Sequence, residues 1–138
     1  MKPIVPGVSA ATSAGMPGDI LIVEDDAIIA LDFEQTVAEF GVTRVRVASS
    51  VAQALVMIAE RAPDFALLDI GLSEEKSFAV AKRLAVLKIP FVFVTGYSGD
   101  KVFPPEYSGR PRLPKPFLRD ELFSVLSNWQ TAAQDGPH

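Results

Sequence analysis

Four short stretches of this chain carry an apolar run that ends abruptly on polar or charged residues: LIVEDD at 21–26, LLDIG at 67–71, FVTGY at 93–97 and LPKPF at 113–117. Apolar runs of this length read as buried strands, and helical patterns separate them. Such alternation implies a parallel sheet covered on both faces, with right-handed crossovers. In an open parallel sheet the carboxyl ends of the strands face one crevice, where ligands bind. If these runs are neighbouring strands, Glu24, Asp25, Asp69, Thr95 and Lys115 share one pocket.

The intervening segments fit this reading. Residues 20–24 form the first strand, and Asp26 precedes a helical pattern over 27–40, where Ile28, Leu31, Val37 and Phe40 suggest a buried stripe and Gly41 a stop. Residues 42–48 read as a second strand. Ser49 or Ser50 can cap a helix running to Arg61, with Ala54, Leu55, Ile58 and Ala59 inward. Further strands are expected at 65–70, 90–95 and 112–114. Helices are expected at 77–87 and at 118–129, the last with Leu122, Val125, Leu126 and Trp129 inward. Residues 96–111 hold three prolines and three glycines. A full helix there is disfavoured, since interior Pro costs ~3 kcal/mol and Gly ~1.

The chain has 138 residues, 49% of them hydrophobic. At this length roughly 68% of the unfolded surface can be buried, which supports one self-sufficient core. The expected organisation is a disordered tail at 1–18, one domain at 19–130 and a frayed end at 131–138. Net charge is −4 and no basic cluster exceeds two adjacent residues. Nucleic acid is therefore not an expected partner, because phosphate contacts need grouped Lys and Arg. No apolar run approaches the ~20 residues of a membrane helix. The absence of cysteine removes thiol chemistry and fits a cytoplasmic setting. The one histidine, His138, is the last residue, so a Ser/His/Asp triad is not available.

Three carboxylates at one sheet end create a charge problem. Two unit charges ~4 Å apart repel by about 4 kcal/mol at an effective dielectric near 20. A hard divalent cation resolves it. An all-oxygen site with open positions suits Mg²⁺, held by Glu24, Asp25, Asp69 and the backbone carbonyl of Gly71. A carboxylate can also accept a phosphoryl group as an aspartyl-phosphate. Asp69, ending the central strand, is the candidate acceptor. Lys115 would pair with a phosphoryl oxygen and the Thr95 hydroxyl would donate to another. Taken singly, each residue has a plainer explanation: a helix N-terminus for Asp25 and Asp26, an ordinary strand threonine, an exposed loop lysine. Their joint placement favours the functional one.

These residues resemble a response-regulator receiver domain over about 19–130. The resemblance implies a flavodoxin-like, doubly wound, five-stranded parallel sheet in the order 2-1-3-4-5, with five helices. It implies Glu24 and Asp25 as the acidic pair, Asp69 as phosphoacceptor, Thr95 as switch hydroxyl and Lys115 as phosphate counter-ion, followed by an often cis Pro116. Three features depart from the family pattern. Arg112 replaces a switch aromatic, Ser73 and Ser77 replace the usual Pro and Gly, and the fourth helix is expected to be short or disordered. These departures, with Phe93-Val94-Thr95-Gly96-Tyr97, resemble the FAT GUY subgroup, which implies a sensor histidine kinase of the HWE or a related class as donor. Tyr97 then becomes a candidate moving ring in place of Arg112. The expected function is a stand-alone phosphoacceptor that signals to a downstream protein or serves as a phosphate sink, rather than a turnover enzyme. The alternatives are a binding module that is never phosphorylated, and a phosphatase. The latter needs a second Asp two residues after its nucleophile, where this chain has Gly71.

Overall fold

The computed structural model describes residues 15–70, 77–95, 112–115 and 117–130. Five strands form one parallel sheet: β1 (Asp19–Val23), β2 (Arg44–Ala48), β3 (Phe65–Asp69), β4 (Phe91–Thr95) and β5 (Arg112–Pro114). Their spatial order is β2-β1-β3-β4-β5, so the expected flavodoxin-like arrangement is the observed one. Among the described residues there are four helices: α1 (Ala27–Glu39), α2 (Val51–Glu60), α3 (Phe78–Val86) and α4 (Arg119–Ser127). Residues 96–111, where a short or disordered helix is expected, lie outside the described residues, as do the two terminal tails over 1–14 and 131–138. No helix among the described residues is long and apolar enough to cross a membrane.

Strands β1, β3 and β4 are buried along their whole length. Alternate side chains serve opposite layers, as the two-residue strand period demands. Leu21, Val23, Ala66, Leu68, Phe91 and Phe93 meet the buried stripes of α2 and α3. Ile20, Ile22, Phe65, Leu67, Val92 and Val94 meet α1 and α4 through Phe33, Val37, Leu122 and Leu126. The sheet is thus a wall between two helix pairs, which explains why its inner strands read as unbroken apolar runs.

Caps fix where the helices start and stop. The Asp26 carboxylate accepts from the Ile28 and Ile29 amides at 2.9 and 3.1 Å. Of the two candidate serines, Ser50 caps α2 by accepting from the Gln53 amide at 3.1 Å. Gly41 ends α1 with a φ of 95°. The end of α3 uses the same left-handed turn without glycine. Lys88 has φ 62°, its amide donates to the Ala85 carbonyl, and the Ile89 amide donates to Leu84. That pair of bonds is a Schellman motif.

Two helix faces differ from the sequence expectation. The buried side of α1 is Ala30, Phe33 and Val37, whereas Ile28 and Leu31 are exposed. Nine residues at 100° each separate Ile28 from Val37 by half a turn, so the two cannot share a face. On α2, Val51 rather than Ala59 completes the stripe with Ala54 and Ile58. The expected inward residues of α4 hold, with Leu122 and Leu126 buried and Val125 and Trp129 packed against the same cluster.

The amino end of the sheet is tied by a charge cluster that the sequence did not announce. Asp19 is buried, and its carboxylate accepts from Arg46 Nε at 3.1 Å and from Arg61 Nε at 2.9 Å. Arg46 also donates to the Met57 and Arg61 carbonyls, joining β1, β2 and the end of α2.

Two outcomes test these assignments. Lys88→Gly relieves a left-handed residue and is expected to raise stability by up to about 1 kcal/mol, read as a higher urea midpoint at unchanged slope. Asp19→Asn leaves Arg46 short of its counter-charge. It is expected to cost about 2–3 kcal/mol, less than a fully buried pair because the arginines keep carbonyl partners and reach solvent.

Candidate functional site

The parallel register delivers the four strand ends to one edge. Glu24 directly follows β1 and stays in the ladder, its amide donating to the Ala48 carbonyl at 2.9 Å. Asp69 is the last residue of β3 and stands beside Val94, one residue before Thr95, the last of β4. Thr95 pairs in turn with Pro114, and the Lys115 amide donates to the Thr95 carbonyl at 2.8 Å. A register slip of one residue in any strand would turn one of these side chains to the other face. Phe117 stacks on Phe33 of α1 at 4.5 Å between centroids, which holds the segment carrying Lys115 against the domain. That contact was not foreseen, although an aromatic two residues past the lysine was the visible signal.

The three expected acids come together at the strand ends. One carboxylate oxygen each from Glu24, Asp25 and Asp69 lies within 4.8 Å of the others. Lys115 Nζ is 3.3 Å from Glu24 Oε1 and 3.3 Å from Asp69 Oδ1. Glu24, Asp69 and Thr95 are buried, and Asp25 is the more open member of the acidic trio. Of the remaining candidates, Gly71 and Tyr97 lie outside the described residues. Arg112 opens β5 in register with Phe93, two residues back from Thr95, and is half-buried.

The electrostatics show a site under negative strain. Burial pushes the Glu24 carboxyl up from 4.5 to about 7, and the neighbouring Asp69 adds to this. The Asp26 amide, donating to Glu24 Oε2 at 3.1 Å, and the Lys115 charge work in the opposite direction. Burial also pulls on Lys115, which it would lower. The Asp69 and Glu24 carboxylates outweigh it and hold the ammonium above its ordinary range. One lysine therefore does not compensate three carboxylates, and near neutrality Glu24 retains a share of a proton. The donor set is all oxygen, partly open and gathered at one point, the chemistry that suits a small hard cation.

Comparison with known proteins points the same way. The family model described as response regulator receiver domain matches residues 20–127. The sensory transduction protein LytT of Enterococcus faecalis is 31% identical over 110 residues, covering 78% of this chain and 46% of that protein. The phyllosphere-induced regulator PhyR of Methylorubrum extorquens is 31% identical over 100 residues, covering 70% of this chain and 38% of that one. This chain thus spans about half the length, or less, of these curated relatives. Among solved structures, SdrG from Sphingomonas melonis Fr1 is 38% identical with a TM-score of 0.70, covering 84% of this chain and 95% of SdrG. The anti-anti-sigma factor PhyR from Bartonella quintana is 26% identical with a TM-score of 0.71, covering 94% of this chain and 54% of that one. With its sheet order, its strand-end acids and a family match over most of its length, the chain belongs to the response regulator receiver domain family.

Proposed function

We propose that this receiver accepts a phosphoryl group on Asp69 from the phosphohistidine of a sensor histidine kinase. One Asp69 oxygen attacks phosphorus, the P–N bond breaks, and the imidazole leaves as the acyl phosphate forms. The observation that carries this reading is the placement of Asp69 with two further carboxylates inside 4.8 Å and an ammonium at 3.3 Å. Glu24, Asp25 and Asp69, with the Gly71 carbonyl, would hold Mg²⁺. The ion would supply charge neutralisation for the incoming phosphoryl oxygens. Lys115 would shift its contact from the Asp69 carboxylate to a phosphoryl oxygen, and the Thr95 hydroxyl would donate to another. Transfer of this kind depends on positioning and charge rather than on a general base.

Receiver proteins are signalling proteins, and here the signal would pass through a conformational change at Thr95 and the segment beyond it, with Tyr97 or Arg112 following. The similarity to PhyR and SdrG supports a place near the FAT GUY subgroup and a kinase of the HWE or a related class, in a cytoplasmic two-component pathway. The output would be an unidentified downstream protein, or removal of phosphate.

Incubation with acetyl phosphate and Mg²⁺ tests the assignment. Intact-mass measurement is expected to show one added phosphoryl group, removable by hydroxylamine, and none on Asp69→Asn. A protein that gains nothing would be a binding module, and one that turns over phosphate esters would be a phosphatase.

The pH dependence follows from Glu24. Its folded-state value of about 7 exceeds the ordinary 4.5, so in the metal-free protein its stabilising protonation is fully present below 4.5 and lost as pH rises through about 7. Mg²⁺ must displace that proton. Its affinity is expected to fall by up to about tenfold per pH unit below about 7 and to level off above, as calorimetric titration from about pH 6 to about pH 8 would read.

A further inference from the structure

Helices α1 and α3 lie on opposite faces of the sheet, and each leaves apolar side chains on its outer crest. On α1, Ile28 is 81% exposed and Leu31 53%, with Asp32 next along the same outward side. The helix carries carboxylates at 32, 34 and 39 and no base. On α3 the exposed positions are Ala79, Lys82, Arg83, Ala85 and Val86. Val86 is 68% exposed and Leu87 46%. From 77 to 90 the chain has three bases, Lys82, Arg83 and Lys88, and no acid. A protein with net charge −4 thus concentrates cations beside exposed aliphatics on one helix, and carboxylates beside exposed aliphatics on another.

We propose that the outer face of α3 receives α1 of a second copy of this chain, with the two helices antiparallel. The spacing selects that direction. Four residues separate Ile28 from Asp32 and four separate Lys82 from Val86, about 6 Å in each case at ~1.5 Å per residue. Run antiparallel, Ile28 meets Val86 and Leu87 and Asp32 meets Lys82, while Leu31, one residue before Asp32, lies against the aliphatic stem of Arg83. A parallel arrangement sets Asp32 against Val86 and the cations against Ile28. Glu39 adds little, because it is already paired with Arg119. The sheet keeps the two helices of one molecule apart, so the contact forms only between molecules and is heterologous. One helix pair falls well short of the ~1,200 Å² at the low end of stable interfaces, so the association is weak and salt-sensitive. It does not depend on phosphoryl chemistry and stands or falls separately.

Sedimentation equilibrium on the full chain, without phosphodonor, tests it. The mass-average is expected to rise with concentration towards about 1 mM at low salt. The affinity is expected to drop severalfold at about 0.5 M salt, where the Debye length shrinks to a few ångströms. One double variant, Ile28→Gln with Leu31→Gln, removes the apolar half of the α1 face. Another, Val86→Gln with Leu87→Gln, removes that of α3. Each is expected to stay monomeric with unchanged circular dichroism, since all four positions are exposed. An equal mixture is expected to form pairs of twice the monomer mass and nothing larger, because it contains one intact face of each kind. A wild-type chain that stays monomeric at low salt, association that persists in either double variant, or a mixture that fails to pair would each overturn the proposal.

Discussion

The arrangement depends on Lys115 sitting between two buried carboxylates. Glu24 and Asp69 would repel strongly at the end of neighbouring strands if nothing lay between them. The ammonium at 3.3 Å from both allows the strand ends to converge. It does so incompletely, and burial leaves Glu24 holding part of a proton near neutrality. A site balanced in this way is primed for a cation or for an incoming group that redistributes its charge. The same strain would penalise a chain in which the three acids were structural decoration only.

The fold makes this balance possible by putting each group on a rigid element. Asp69 and Thr95 end strands that are buried along their whole length, and the register between β3 and β4 fixes their offset. Lys115 is less firmly placed by its short strand, three residues long, and relies on its amide bond to Thr95 and on the Phe117–Phe33 stack. At the opposite end of the sheet, Asp19 and its arginines lock β1, β2 and α2 together. The two charge clusters differ in kind. The one at the amino end has more cations than acids, and every Asp19 oxygen is bonded. The other has more acids than cations and so remains chemically demanding.

Helix α3 connects the site to the rest of the domain. It begins downstream of Asp69, and Phe78 in its first turn meets Phe93 edge-on at 5.6 Å, two residues before Thr95. Ser77, just before it, has a fully buried hydroxyl with no hydrogen-bond partner among the described residues.

The sequence by itself determined the alternation of strands and helices, the parallel class, the helix start after Asp26, a serine cap at 49 or 50 and the stop at Gly41. Each of these is local, written in runs of a few residues whose period or chemistry has one stable reading. It also singled out the strand-end residues Glu24, Asp25, Asp69, Thr95 and Lys115, because polar groups ending apolar strands are costly unless used. Tertiary structure decided what local pattern cannot carry. It chose Phe33 over Ile28 for the inner face of α1, since a helix with apolar residues on several sides is oriented only by the surface it meets. It paired Asp19 with arginines 27 and 42 residues away, and it set the distances that turn separate carboxylates into one site. Those distances come from the strand register, which belongs to the sheet as a whole and to no single segment of the chain.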